Sequence, residues 1–239
     1  MEKRNVGSAF VLGAFLFLGL AVLGWQAGKA AVEVKLFERS VTVKGLSERE
    51  YPADVVIWPI QYTDAGNDLQ ALYASLDDSA RRIREFLAGQ GLDDSEVTVS
   101  PPVITDKSAQ QYGGGPRAEF RYAAQQSVTV YSQQVEKVRG MMKRLSDLGR
   151  QGIVFSGGNF DTQPEYQFTR LNAVKPEMIE ESTTKAREVA RKFAADSASR
   201  LGKIRRASQG QFSISPRDRN NPHIKKVRVV STVEYYLSD

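Results

Sequence analysis

The spacing of apolar residues changes character several times along this chain, and each change marks an element. Residues 6–28 carry no charge and include AFVLGAFLFLGLAVLGW. That is 23 consecutive uncharged residues, against the ~20 that span a bilayer core. Apolar and polar positions then alternate in SVTVKG at 40–45, the period of a strand, with Gly45 as its predicted end. Residues 55–63 form a second strand pattern with Val56, Trp58, Ile60 and Tyr62 on one face. Pro59 lies inside it and lacks an amide hydrogen, which predicts an edge position or a bulge. At 68–89 the period becomes helical, with Leu69, Leu72, Leu76, Ala80, Ile83 and Phe86 or Leu87 on one stripe and Gly89 and Gly91 as the stop.

The remaining elements follow the same logic. Residues 96–105 read as a strand interrupted at Pro101 and Pro102, and 107–118, with Gly113, Gly114, Gly115 and Pro116, as a flexible loop. A strand at 120–132 precedes a helix at 133–148 whose inward residues are Val135, Val138, Met142 and Leu145. Short strands are expected at 153–155, at Phe160 and at 166–169, around a turn at Gly157 and Gly158. The longest helix is predicted over 176–201, with Pro176 at its first position and a buried stripe of Met178, Ser182, Ala186, Val189 and Phe193. Strands at 203–214 and 224–237 close the chain.

This order predicts an α+β fold in which three main helices pack on antiparallel sheets, preceded by one transmembrane helix. A helix–strand–strand unit at 68–132 recurs faintly at 176–237, where SARRIREFLAGQGL resembles KAREVARKFAADSASRLG and QQSVTVYS resembles VRVVSTVEYYLS. The division expected is an anchor or signal peptide at 1–30, a spacer at 31–39 and one body at 40–239. Lys3 and Arg4 precede the apolar run, which keeps that end cytoplasmic and the body outside. The alternative is a signal peptide cleaved after Ala30, although such apolar regions usually run only about 7–15 residues.

Composition narrows the chemistry. The chain has 239 residues, 41% of them hydrophobic and 26% charged, as in an ordinary folded domain. It has no cysteine, which removes disulfides, thiolate metal sites and cysteine nucleophiles. The single histidine, His223, leaves little room for zinc sites or nucleophile–histidine pairs. The paired acids Asp77–Asp78, Asp93–Asp94 and Glu180–Glu181 are neighbours in sequence, so on a helix they diverge by about 100° and form no dyad. Asp93 and Asp94 suit a turn, and Glu180 and Glu181 the positive end of a helix. The triple glycine lacks the Lys-Ser/Thr of a phosphate loop.

Charge is more informative in its distribution than in its total. Residues 200–228 hold nine Lys/Arg against one acid, a local +8 that leaves −3 for the rest of a chain of net +5. Lys203, Arg205, Arg206, Arg217, Arg219, Lys225, Lys226 and Arg228 are expected on one hairpin, either as solvated charge or as a surface for an anionic partner. Nucleic acid is excluded as a partner by the predicted topology and by the lack of an aromatic-rich binding module.

The segments NAVKPEMIEESTTKAREVARKFAADSASRLGKIRRASQGQFSI and PHIKKVRVVSTVEYYL resemble the SIMPL-domain family of bacterial envelope proteins. VTVKGLSERE, ADVVIWPI, VTVSPPVITD and PEYQFTRLNAVKPEMI extend that resemblance over nearly the whole body. It implies an exported, periplasmic α+β domain that tends to self-assemble, with some relatives tied to oxidative-stress defence. The family carries no established catalytic residues, so none is transferred here. The expected function is therefore a non-enzymatic, membrane-anchored protein without cofactor or metal that forms homo-oligomers. A sheet edge, the Pro59 strand among the candidates, would be closed by a neighbouring subunit. The competing expectation is a module that binds lipid head groups or acidic polymer through the basic hairpin. A hydrolase is the weakest class, with only one histidine to serve it.

Overall fold

Two long neighbouring strands, β2 (Val55–Gly66) and β5 (Tyr122–Ser132), bring together two strongly alternating stretches of the chain. They pair antiparallel over eleven positions, from Val56 opposite Ser132 to Gly66 opposite Tyr122. In the computed structural model, which describes residues 3–37, 39–109, 119–156 and 162–238, the fold is α+β with antiparallel sheets and five α-helices. The triple-glycine loop, the turn at Gly157 and Gly158, and Phe160 lie outside the described residues. The body divides into two compact units interleaved in sequence.

The larger unit comprises Arg49–Val174 and Ile214–Val227. β3 (Val97–Val99) and β4 (Val103–Asp106) pair along one side of β5, while β6 (Val154–Phe155) and β7 (Glu165–Gln167) pair along the far side of β2. β2 is thus an interior strand, which corrects the edge expectation. Pro59 is accommodated because β7 pairs residues 55–57 and β6 pairs residues 62–63, leaving the proline between two short partners where no ladder donor is required.

One face of this sheet is covered by α2 (Leu69–Gly89), which starts where Asp68 accepts hydrogen bonds from the amides of Gln70 and Ala71. Leu72, Leu76, Ala80, Ile83 and Leu87 are buried, whereas Leu69 at the first turn is exposed. Beyond the helix Gly91 takes φ +84°, the left-handed conformation that a glycine supplies at low cost. These helix residues meet Val56, Trp58, Ile60 and Tyr62 in one large core. The predicted helix at 133–148 becomes α3 (Val135–Met142) and α4 (Leu145–Gly149). Bonds from Arg144 N to Met141 O and from Asp147 N to Arg144 O tighten the chain between them.

The smaller unit comprises Met1–Glu48, Lys175–Ser213 and Arg228–Asp239. Its strands run in the order β1 (Ser40–Pro52), β10 (Ile224–Ser238), β8 (Arg200–Gln209), and β9 (Ser213–Pro216) also pairs with β10. β1 does not stop at Gly45. That glycine is buried in mid-strand beneath α5 (Leu171–Asp196), and a Cβ there would overlap the carbonyl oxygen of Ser182 and the amide nitrogen of Ala186. The helix rests on the sheet through Met178, Ser182, Ala186, Ala190 and Ala194, a strict four-residue spacing. Val189 and Phe193, expected in this stripe, are 37% and 54% exposed. Helix α5 also begins five residues earlier than predicted, so Pro176 lies inside it and removes one i→i−4 bond near its start.

The two sheets repeat one topology, as the faint sequence repeat predicts. In each, the third strand after the covering helix lies between the first strand after that helix and a long strand earlier in the chain, giving β2–β5–β3 and β1–β10–β8. A short fourth strand, β4 or β9, also pairs with that central strand. Ahead of the smaller unit's sheet runs α1 (Lys3–Phe37). Within its Gly7–Glu33 stretch an 18-residue window has a mean hydropathy of 2.2, and none of that window is buried. By length and composition it can cross a membrane or act as a signal sequence.

Candidate functional site

The eight basic residues are divided between the two units. Lys203, Arg205, Arg206 and Arg228 belong to the smaller unit, and Arg217, Arg219, Lys225 and Lys226 to the larger. Strand alternation explains much of this dispersal. On β10, Lys225 shares the inward parity of Val227, Val229, Ser231, Val233 and Tyr235 and is only 7% exposed. Burial lowers the pKa of its ammonium group, with Glu165 acting in the opposite direction.

Several of the others are neutralised locally. Arg205 lies 2.9 Å from the Glu234 carboxylate, which also accepts a 2.6 Å bond from the Ser40 hydroxyl. That hydroxyl first, and then Arg205, hold the Glu234 carboxyl below its usual range. Arg228 approaches Glu48 at 3.9 Å. Arg217 pairs with Asp218 at 2.9 Å and with Glu50 at 3.7 Å. Asp218 in turn accepts from the amides of Asn220 and Asn221, both at 2.8 Å, so it organises the turn. The Arg217 bond and then Asn221 bring its carboxyl down to about 2. Lys203, Arg206 and Arg219 are exposed.

The other sequence candidates have structural places. His223 packs edge-on against Tyr166 at 6.0 Å between ring centres, and its carbonyl accepts from Ala53 N. Burial, reinforced by Arg139, lowers its imidazole pKa. Asp78 pairs with Arg81 and Arg82, Asp93 caps the 3₁₀ turn Asp94–Glu96, and Asp94 pairs with Arg84. Glu180 and Glu181 lie well inside α5 because the helix starts at Leu171, not at its positive end; Glu181 accepts from Ser47 and pairs with Lys185. The Tyr62 hydroxyl is buried and donates to Gln126 Oε1 at 2.6 Å, while Gln126 donates to Ser100 O at 2.8 Å. Burial, aided by Asp77, pushes the Tyr62 phenol up to about 12. Among the described residues no group of three or more His, Asp or Glu side chains is placed to hold a metal ion.

A feature not singled out from the sequence emerges on the six-stranded sheet. Its face opposite α2 presents Ile57, Pro59, Gln61, Thr63 and Ala65 from β2 and Ala123, Gln125, Ser127, Thr129 and Tyr131 from β5. None of these ten side chains is charged. An open groove of about 550 Å³ lies over one end of this face, at residues 63–65 of β2 and 123–125 of β5, flanked by Val103, Val154 and Phe120. Val103 and Val154 are 69% and 63% exposed, the most exposed large apolar side chains among the described residues outside α1. Charge enters at the margins, with Asp64 lining the groove and Glu165 on β7 opposite Ile57. Solvated faces of antiparallel sheets ordinarily carry polar and charged residues, so the sequence signal was available in the odd-numbered positions of both strands.

A protein-family model, SIMPL, described as a protein of unknown function (DUF541), matches residues 41–234. The match covers both units, and the chain belongs to that family. No curated protein matches it significantly.

Proposed function

We propose that this chain is a non-enzymatic envelope protein, held in the bacterial cytoplasmic membrane by α1, which self-associates through an α+β body on the periplasmic side. The observation that carries this reading is apolar surface left exposed on the body. Val103, Val154, Tyr131, Phe193 and Ile204 are each between 48% and 69% exposed. A contiguous exposed apolar patch marks a partner surface, and Val103 and Val154 line one groove on the larger unit. The basic pair Lys3–Arg4 ahead of the apolar run supports a cytoplasmic N-terminus.

Light scattering on the full chain in detergent micelles, with the protein mass separated from that of the detergent, tests the assembly. A multiple of the protomer mass is expected at micromolar concentration, and a single protomer mass overturns the proposal. The cellular role we assign is envelope maintenance under oxidative stress. Deleting the gene should then reduce survival under peroxide, and unchanged survival removes that role.

A second reading is favoured by β8, which is exposed along nearly its whole length and carries Arg200, Lys203, Arg205 and Arg206. In this reading the strand binds an anionic envelope component, a lipid head group or an acidic polymer. Reversing charge at Lys203 and Arg206 should reduce cosedimentation of the full chain with insoluble acidic cell-wall polymer. Equal cosedimentation rules the reading out.

A further inference from the structure

We infer that the uncharged face of the six-stranded sheet is where two copies of this chain meet, each placing β2 and β5 against the same strands of the other. This inference rests on the self-association proposed above and specifies its surface. The occupant follows first from charge. In a two-fold contact every residue sees either its own counterpart or a residue of the same patch. A patch bearing charges of one sign would repel its copy, whereas the ten central positions of this face carry none. Polar but uncharged side chains such as Gln61, Gln125 and Thr129 can hydrogen-bond to their own counterparts, which charged side chains of one sign cannot do.

Dimensions give the second argument. Eleven paired positions at ~3.4 Å make a face about 37 Å long. Four strands lie abreast, from β3 and β4 through β5 and β2 to β6 and β7, and at ~4.8 Å each they span about 19 Å. The product is about 700 Å², close to the ~800 Å² per partner of a standard stable interface. The third argument is local. Val103 on β4 and Val154 on β6 flank the face on opposite sides, and their 69% and 63% exposure leaves apolar surface on both flanks for the same neighbour to cover. Two sheets face to face would sit about 10 Å apart, with these residues as apolar flanks around a polar centre.

The double variant Gln61→Glu/Thr129→Glu puts two like charges on each copy at the centre of the face. In detergent micelles its mass should fall to half that of the wild-type full chain or less, with an unchanged far-UV circular dichroism spectrum. Because the chain has no cysteine, single-cysteine variants give an independent readout that leaves the fold alone. Gln61→Cys and Ser127→Cys, the opposed pair at the middle of the face and so nearest its two-fold axis, should each form disulfide-linked dimers on mild oxidation, and Glu85→Cys on the solvent side of α2 should not. An oligomeric wild type whose mass survives the double variant, or whose face cysteines fail to crosslink, overturns this face while leaving self-association standing. A wild type that is already a protomer overturns both.

Discussion

The two sheets of this protein share a topology and differ in both their faces. On the inner face, the six-stranded sheet meets a helix through large side chains, with Leu72, Leu76, Ile83 and Leu87 packed on Val56, Trp58, Ile60 and Tyr62. The helix of the smaller unit meets its sheet mostly through small residues of its own, where Gly45 lies under Ser182 and Ala186, and Ala186 and Ala190 join Val43, Val233 and Tyr235 in one cluster. On the outer face the contrast reverses in character. The smaller unit's sheet displays charges that pair among themselves, Glu48 with Arg228 and Glu234 with Arg205. The six-stranded sheet displays no charge across its centre. One architecture therefore supports a solvated surface in one copy and a surface suited to a partner in the other. Strand alternation separates the inner and outer residues completely, so the outer faces can differ with little effect on the cores.

The contrast makes opposite demands on substitution. In the larger unit the vulnerable change is loss of volume. Leu76→Ala should cost about 2–5 kcal/mol, measured by denaturant unfolding and by faster hydrogen exchange in β2 and β5. In the smaller unit the vulnerable change is gain of volume. Gly45→Val should cost about 1–3 kcal/mol or somewhat more by forcing α5 away from β1, whereas a neutral result would mean that the close approach is not held. Tyr62→Phe removes a buried hydroxyl and leaves Gln126 one donor short, for a loss of about 1–3 kcal/mol; an unchanged unfolding midpoint would show that water substitutes for the phenol.

The smallest effect concerns His223. Its imidazole pKa is lowered in the folded state, so the fold binds its proton less readily than the unfolded chain does. Stability from the neutral ring is present above the ordinary histidine value of 6.5 and is lost as pH falls through it towards the lower folded value. His223→Gln should therefore flatten the fall in melting temperature between pH 7 and pH 5 relative to the wild type. Parallel curves would show that the histidine does not titrate with folding.

Much of this could be read along the chain because it depends on near neighbours. The helix from Leu69, the alternation of β5 and β10 and the apolar α1 are all properties of residues a few positions apart, and the helix–strand–strand repeat shows as two similar local patterns. Even the burial of Lys225 and the uncharged odd positions of β2 and β5 were implicit in strand parity, though only once the core side of each strand was known. What required the tertiary structure was every question of which segments abut. Pro59 is interior because two short strands share one side of β2, and nothing near the proline encodes their lengths. Gly45 looked like a strand end until a helix more than 130 residues later was found to rest on it. The stripe of α5 runs through Ala190 and Ala194 instead of Val189 and Phe193 because the helix keeps a four-residue spacing from Met178 through the close approach of Ser182 and Ala186 to Gly45. The eight basic residues are close in sequence yet belong to two units, since β10 itself passes from one to the other. Local period is set by backbone geometry, whereas strand partnership is set by long-range packing, and that is where the candidate surface was decided.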